Sequence, residues 1–296
     1  MEIRPFRPED AAQLAALAEA GARGESDFVL NPLWETEDEL FAEFERLAID
    51  PAEHILVADG EEEGILGLVG FLRRPGASDA GMLCPIVRRE ERGRGLGGRL
   101  LRAALAMAVQ KLGIHVASAA VGTRNRAGYA LLTAFGFRPV RQVYVMRCDW
   151  RPDTEKLPIE GLEIDRARVE DAEAILEVYL SCGFPPRDEA ETRGVLEDGR
   201  HAHWVARDAG GHVVAFVELE THWPRRPWVA FVGVSPELRD RGLGSSLVGL
   251  ALEQQFDAGS HSALLALSPA NRTAVRAYEK VGFRRWRLAD ILERAL

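Results

Sequence analysis

Cysteine is scarce in this chain: Cys84, Cys148 and Cys182 are three in 296 residues, odd in number and far apart. That excludes a disulfide framework and offers no zinc-ligand spacing, so reduced thiols in a reducing compartment are expected. Positive charge is also in deficit. A formal net charge of −9 argues against a role on nucleic acid, whose phosphates demand a basic surface. No stretch approaches the roughly 18–20 uninterrupted apolar residues that cross a bilayer. The opening ten residues lack the apolar core of a secretory signal. These absences predict a cytoplasmic chain with neither membrane nor nucleic acid as partner. What is present is ordinary for a globular protein: 47% hydrophobic and 28% charged residues, and a length that suggests two domains.

The chain repeats itself. Glu2–Ala11 lines up with Glu163–Ala172, and each segment leads into an apolar-periodic helix whose Glu-Asp-Ala start places acids near the positive dipole end. Val87–Gly97 pairs with Val234–Gly244, and Asn125–Phe137 with Asn271–Phe283. The last two offsets are 147 and 146 residues, whereas the first is 161, so the N-terminal copy carries about 14 extra residues before its glycine loop. A duplication accounts for this, with an N-terminal domain over 1–150, a polar, proline-bearing linker over 151–160 and a C-terminal domain over 161–296. In the second copy, strands are predicted at His203–Arg207, Val213–Glu220, Trp228–Val234 and Ser262–Leu267, and helices at Ser245–Phe256 and Arg272–Lys280. Hairpins mixed with strand–helix–strand units predict an α/β fold, a mixed, largely antiparallel sheet flanked by helices.

In both copies a strand runs into Arg-x-x-Gly-x-Gly, followed by a helix: Arg92 to Gly97 and Arg239 to Gly244. Glycines let the backbone approach a ligand, and the unpaired first-turn amides form an anion site suited to a pyrophosphate. Arg92, Arg94, Arg239 and Arg241 add positive charge there. Gly93, Gly95 and Gly98 also satisfy the dinucleotide fingerprint, but the acidic residue expected about 20 positions on is missing, and the second copy has Leu247 at the third glycine. No Gly-Lys-Ser/Thr follows either loop, which excludes a Walker-type site.

On these loops, and on the block Asn271-Arg-Thr-Ala-Val-Arg-Ala-Tyr278-Glu-Lys-Val-Gly282-Phe283, the sequence resembles the GNAT superfamily of acetyl-CoA-dependent N-acetyltransferases, twice over. The resemblance implies two tandem GNAT folds and acetyl-CoA as co-substrate, with no metal. It implies that Gly242, Gly244 and Ser245 hold the pyrophosphate, that Asn271 and the strand amides near Val232 and Val234 meet the pantetheine arm, and that Tyr278 sits near the thioester sulfur as general acid. In the first copy the corresponding cofactor residues are Val87, Arg92, Arg94, Gly95, Gly97 and Gly98. A packing role on an amphipathic helix is the alternative reading of Tyr278.

The base is left open between Glu218 and Glu220, which point the same way on one strand, and His222 beside Trp223. An exposed strand face explains the two glutamates equally well. His201 and His203 share a face, but without a third ligand a metal site is not expected. The first copy has Leu132 where the acid should be, with Tyr129 one turn earlier, and Pro85 is expected to interrupt the strand entering its loop. It is therefore expected to be catalytically degenerate. Acceptor pockets in the resembling family are built from variable segments, here Ser181–Glu189 and Thr221–Pro227, with Trp223 and Trp228 as candidate linings. A two-copy chain of this length with a weaker first domain also resembles the mycothiol synthases, which acetylate the cysteinyl amine of a thiol-sugar conjugate. The readings that follow are acetyl transfer to a primary amine of a small molecule by direct attack in a ternary complex, the cysteinyl-amine variant of it, or a non-catalytic acyl-CoA sensor, as a monomer or homodimer.

Overall fold

The computed structural model describes residues 1–22, 28–74, 76–153, 161–223 and 225–296. The chain divides into two compact units, one formed by Met1–Val143 with Arg287–Leu296 and the other by Tyr144–Trp286. Most of the expected linker over 151–160 lies outside the described residues. Among the described residues, no helix is long and apolar enough to cross a membrane.

The first unit contains β1 (Glu2–Pro5), α1 (Ala11–Ala22), α2 (Glu37–Arg46), α3 (Pro51–His54), β2 (Ile55–Asp59), β3 (Ile65–Leu72), β4 (Asp79–Val87), α4 (Leu96–Met107), β5 (Val116–Gly122), α5 (Arg126–Ala134) and the first half of β6 (Arg138–Cys148). Strands β1 to β4 pair antiparallel in sequence order, and β4 then pairs parallel with β5. The far side of β5 is completed by the end of the chain, residues 289–295 running antiparallel from Ala289↔Gly122 to Ala295↔Val116.

The second unit repeats this plan with β7 (Glu163–Arg166), α6 (Ala172–Ser181), α7 (Glu189–Glu197), β8 (His201–Arg207), β9 (Val213–Glu220), β10 (Trp228–Val234), α8 (Leu243–Asp257), β11 (Ala263–Leu267), α9 (Arg272–Val281) and the start of β12 (Arg284–Ala295). Here β11 takes its outer partner from β6, with Ala263↔Cys148 through Leu267↔Tyr144. Every predicted element is present, with ends moved by one or two residues and β8 beginning at His201 rather than His203. Both faces of strand β9 are covered: Val217 and Leu219 join the core beneath α8 and α9, while on the face that also carries Glu218 and Glu220, Phe216 packs with Ile175 and Tyr179 of α6.

The repeated Glu-Asp-Ala run leads into a helix in both copies, as expected, and its aspartate does a further job. A single 3-10 turn precedes each helix, and its aspartate accepts a backbone N–H, Asp10 from Arg7 and Asp171 from Arg168, each at 2.8 Å. The same carboxylates bind Arg4 of β1 and Arg207 of β8, both at 2.8 Å, so each anchors a helix entry to the sheet. Nor does Pro85 interrupt β4. It sits in a bulge between Leu68↔Ile86 and Gly70↔Leu83, where β3 sets one residue against two, and a residue without an N–H costs no ladder bond.

Candidate active site

In the second unit the parallel strands β10 and β11 are in register only at Trp228↔Leu264. A bulge follows at Ala230, between the pairs Val229↔Leu219 and Phe231↔Glu218, and it turns β10 away from its neighbour. The strands part, and the gap opens into a cavity of about 480 Å³ lined by β10, the glycine loop, β11 and α9. Among the described residues, β11 gives the strand amides beyond Trp228 no ladder partner, so a ligand with an amide arm can take the partner's place.

The loop closes one end of this cavity. Gly242 is the N-cap of α8 at φ 84°, a left-handed conformation that L side chains resist, and the first turn of the helix carries no acid. Its amides therefore bring a positive dipole end to the cavity, as a pyrophosphate requires, although Asp240 of the loop lines the same cavity. A side chain at Gly244 would stand 3.4 Å from Val234 and 3.6 Å from Val232, ordinary contact, but it would fill the cavity floor. Ser245 donates its hydroxyl to Gly242 O at 2.7 Å, committing it to the loop. Arg239 braces the loop, donating from Nε to Val234 O at 3.0 Å and from Nη2 to Ser181 O at 3.1 Å. Arg241 is exposed and does not line the cavity.

Asn271 caps α9, accepting from Ala274 N at 3.1 Å, and it lines the cavity together with Tyr278. Tyr278 packs edge-on against Phe283, with ring centroids 5.7 Å apart. Its hydroxyl has no hydrogen-bond partner among the described residues, and burial pushes its pKa up to about 12. The phenol keeps its proton throughout the neutral range.

Glu218 and Glu220 share one face of β9, but their positions along it differ. Glu220 lies opposite Trp228, where β10 and β11 are still joined; Glu218 lies opposite Phe231, beyond the bulge, and Phe231 lines the cavity. Glu218 is 3% exposed, with Arg187 Nη1 at 2.9 Å, His203 Nε2 at 3.5 Å and His201 Nδ1 at 3.7 Å from its oxygens. Burial alone would raise its pKa, but His203 and the Arg187 guanidinium outweigh burial and hold the carboxyl below its usual range. His222 lies beside Glu220 at 3.7 Å and packs on Trp223. Trp223 and Trp228 stack edge-on against each other and do not line the cavity, whereas Cys182 and Phe184 of the expected Ser181–Glu189 segment do.

The expectation that the two histidines lack a third donor does not hold. The fold brings Glu218 to them, and one donor atom from each of the three residues lies within 4.8 Å of the others. Arg187 already occupies the carboxylate, and a fixed cation 2.9 Å away opposes a second positive charge there.

The first unit has the same loop in a different setting. Gly95 caps α4 at φ 82°, and Val87, Arg92 and Gly97 line a smaller cavity of about 270 Å³. Arg92 braces the loop on Val87 O at 3.0 Å, while Arg94 is exposed and paired with Glu91 at 3.0 Å. Gly98 faces Leu131 and Phe135 rather than the cavity. Leu132 is buried, and Tyr129 does not line the cavity. Strands β4 and β5 part after Gly81↔Ser118, but here the chain fills its own gap. Leu30 N donates to Ala120 O and Gly122 N to Phe28 O, both at 2.9 Å, and Cys84 N donates to Asn31 O at 3.2 Å. The cavity ends against Val29, which bridges to Val121. Gly122 makes room for this segment, since a Cβ there would stand 2.7 Å from the Phe28 ring. The only sign of the plug in the sequence is the excess of about 14 residues before the first loop.

The model of the acetyltransferase (GNAT) family matches this chain twice, over residues 23–137 and 169–283. A mycothiol acetyltransferase of Thermobispora bispora is 31% identical, with 99% of this chain and 98% of that protein covered. Another from Paenarthrobacter aurescens is 30% identical over 78% of this chain and 70% of its own length. Among solved structures, a GCN5-related N-acetyltransferase from Sphaerobacter thermophilus shares the fold with a TM-score of 0.80 at 20% identity, covering 99% of this chain and 95% of that one. A tandem GNAT protein from the clavulanic acid biosynthesis pathway does so at 0.73 and 18%, covering 99% and 98%.

Proposed function

This chain belongs to the acetyltransferase (GNAT) family, and we propose that its second unit moves an acetyl group from acetyl-CoA to a primary amine of a small molecule by direct attack in a ternary complex. The observation that carries this reading is the parting of β10 from β11 between a helix N-terminus and Tyr278. The α8 amides, with Gly242 and Gly244, hold the pyrophosphate. Val232, Val234 and Asn271 meet the pantetheine arm. Unpaired β10 amides support the charge that develops on the carbonyl oxygen.

As the amine nitrogen forms its bond to the carbonyl carbon, Glu218 takes a proton from it; as the C–S bond breaks, Tyr278 gives a proton to the departing thiolate. Glu218 is preferred to Glu220 and His222 because it alone of the three stands opposite the opened stretch of β10. The first unit is read as non-catalytic. Its loop retains the pyrophosphate cradle of Val87, Arg92, Gly95 and Gly97, but residues 28–31 occupy the amides that the thioester end requires.

Calorimetric titration with acetyl-CoA is expected to give one tight site per chain. Gly242→Val is expected to weaken it by about tenfold or more, since holding a branched residue in a left-handed conformation costs roughly 1–2 kcal/mol. Two equal sites would reopen the first unit, and unchanged affinity in Gly242→Val would move the cofactor elsewhere.

A narrower reading draws on the match along 99% of the chain to a mycothiol acetyltransferase: the acceptor is the cysteinyl amine of a thiol-sugar conjugate. Turnover of cysteinyl-glucosamine in preference to lysine and spermidine supports it; indifference among the three sinks it.

A further inference from the structure

Two histidines face the carboxylate read above as the base, and the acetyl-transfer mechanism does not yet use either. His201 and His203 are two residues apart on β8, directly across from β9 in the pairs His201↔Glu220 and His203↔Glu218. Their rings stack with centroids 6.0 Å apart and planes 17° from parallel. His201 Nδ1 and His203 Nε2, the atoms turned toward Glu218, have no hydrogen-bond partner among the described residues. The two rings differ in access: the His203 side chain is 4% exposed and that of His201 13%. Arg187 stacks over Tyr179 at 4.2 Å and holds Oε2 of Glu218, the oxygen that His203 also approaches, which leaves Oε1 facing His201.

A buried base has a problem after one turnover. It holds a proton, and with its side chain 3% exposed that proton needs an acceptor to reach solvent. We propose that His201 is the exit for that proton, with His203 and Arg187 as positioning residues that hold Glu218. The proposal rests on the reading of Glu218 as the amine's base. In the step, the O–H bond of protonated Glu218 breaks as an N–H bond forms at His201 Nδ1, directly or through one water. The imidazolium then gives a proton to solvent and, by exchange with solvent, returns to the tautomer whose Nδ1 lone pair faces Glu218, while Tyr278 regains from solvent the one it gave to the thiolate. Charge and atoms balance: one proton leaves the amine and one ends on the coenzyme thiol.

The groups facing His201 are Glu218 and Glu220 from β9, His203 from its own strand, and Asp198 from the turn before it, itself bound to Arg200 at 2.9 Å. Burial favours the neutral ring and outweighs the pull of the two glutamates, so His201 rests with a lone pair free to accept.

The test has two arms. In the first, acetylation of cysteinyl-glucosamine is followed by chromatography, because the acceptor's own thiol obscures thiol reagents. His201→Ala is expected to lower kcat about tenfold with acetyl-CoA affinity unchanged and to be restored by added imidazole. In His201→Asn the acid limb of the pH profile is expected to lose one of its ionisations. Wild-type kcat in both variants, or a loss that imidazole does not repair and that leaves the pH profile unmoved, overturns the relay.

The second arm needs no acceptor. In a nitrogen-15 titration of the histidine rings, Glu218→Gln is expected to lower the pKa of His201 by removing the charge that raises it, and an unmoved His201 pKa overturns the coupling. Full turnover in Glu218→Gln overturns the base reading itself; its loss beside an unaffected His201→Ala overturns the relay alone.

Discussion

Replacing Tyr278 by phenylalanine is expected to lower turnover by about 100-fold or more, with acetyl-CoA affinity unchanged, because proton donation in the transition state contributes about 10²–10⁴. The ring lines the cavity and packs on Phe283, and phenylalanine keeps both contacts while removing only the hydroxyl. That hydroxyl is unpaired among the described residues, so its loss breaks no structural bond and the whole effect falls on kcat. The sign of the pH dependence follows from burial. A phenol pushed up to about 12 remains an acid well above pH 10, so an alkaline fall in rate before that point belongs to another group. Stopped-flow acetyl transfer together with calorimetric binding checks both halves. A Tyr278→Phe chain with ordinary turnover would return the residue to its packing role.

Ending the chain at Trp286 is expected to unfold the first unit, although the residues removed are numbered among the second copy. Residues 289–295 form the outer neighbour of β5, and Ala289, Ile291 and Leu292 are buried there. Burying Ile291 and Leu292 is worth about 1.5–3 kcal/mol each, and the lost ladder leaves β5 with unpaired amides next to a wet core. A domain is stable by only about 5–15 kcal/mol in total, so most of that margin goes. The measurement is a thermal melt followed by limited proteolysis, with cleavage expected in the first unit and the truncated chain prone to aggregate through the exposed edge. A melt indistinguishable from that of the full chain would mean that β5 closes the sheet without the added strand. For the same reason a fragment ending at residue 150 is expected to fail to fold alone.

Much of the protein is legible in its sequence because it follows from local rules. The alternation of β9, the helix that starts at the second glycine loop and the caps at Asn125 and Asn271 are decided by residues a few positions apart. The doubling of the loop identifies the anion cradle, since left-handed glycines before an acid-free first turn have that consequence in any fold. The family follows from those motifs, and Leu132 in place of the tyrosine distinguishes the first copy from the second.

Which strand completes which sheet is different, because pairing is a non-local choice. β6 and β12 each follow a Gly-Phe step and carry comparable strand patterns, and nothing in either segment names its partner. The same holds for the Phe28–Asn31 plug. The sequence shows that residues are added, but only packed strands show that their amides and carbonyls satisfy β4 and β5 from within. Glu218 makes the point at the site itself. Its spacing from Glu220 says that both point one way, and tertiary structure alone places Arg187 and two imidazoles around the first of them. The sequence determined the repeat, the loops and the chemistry available; the tertiary structure decided which copy keeps an open gap and which charge is buried beside it, because burial and strand pairing depend on residues that meet only when the chain has folded.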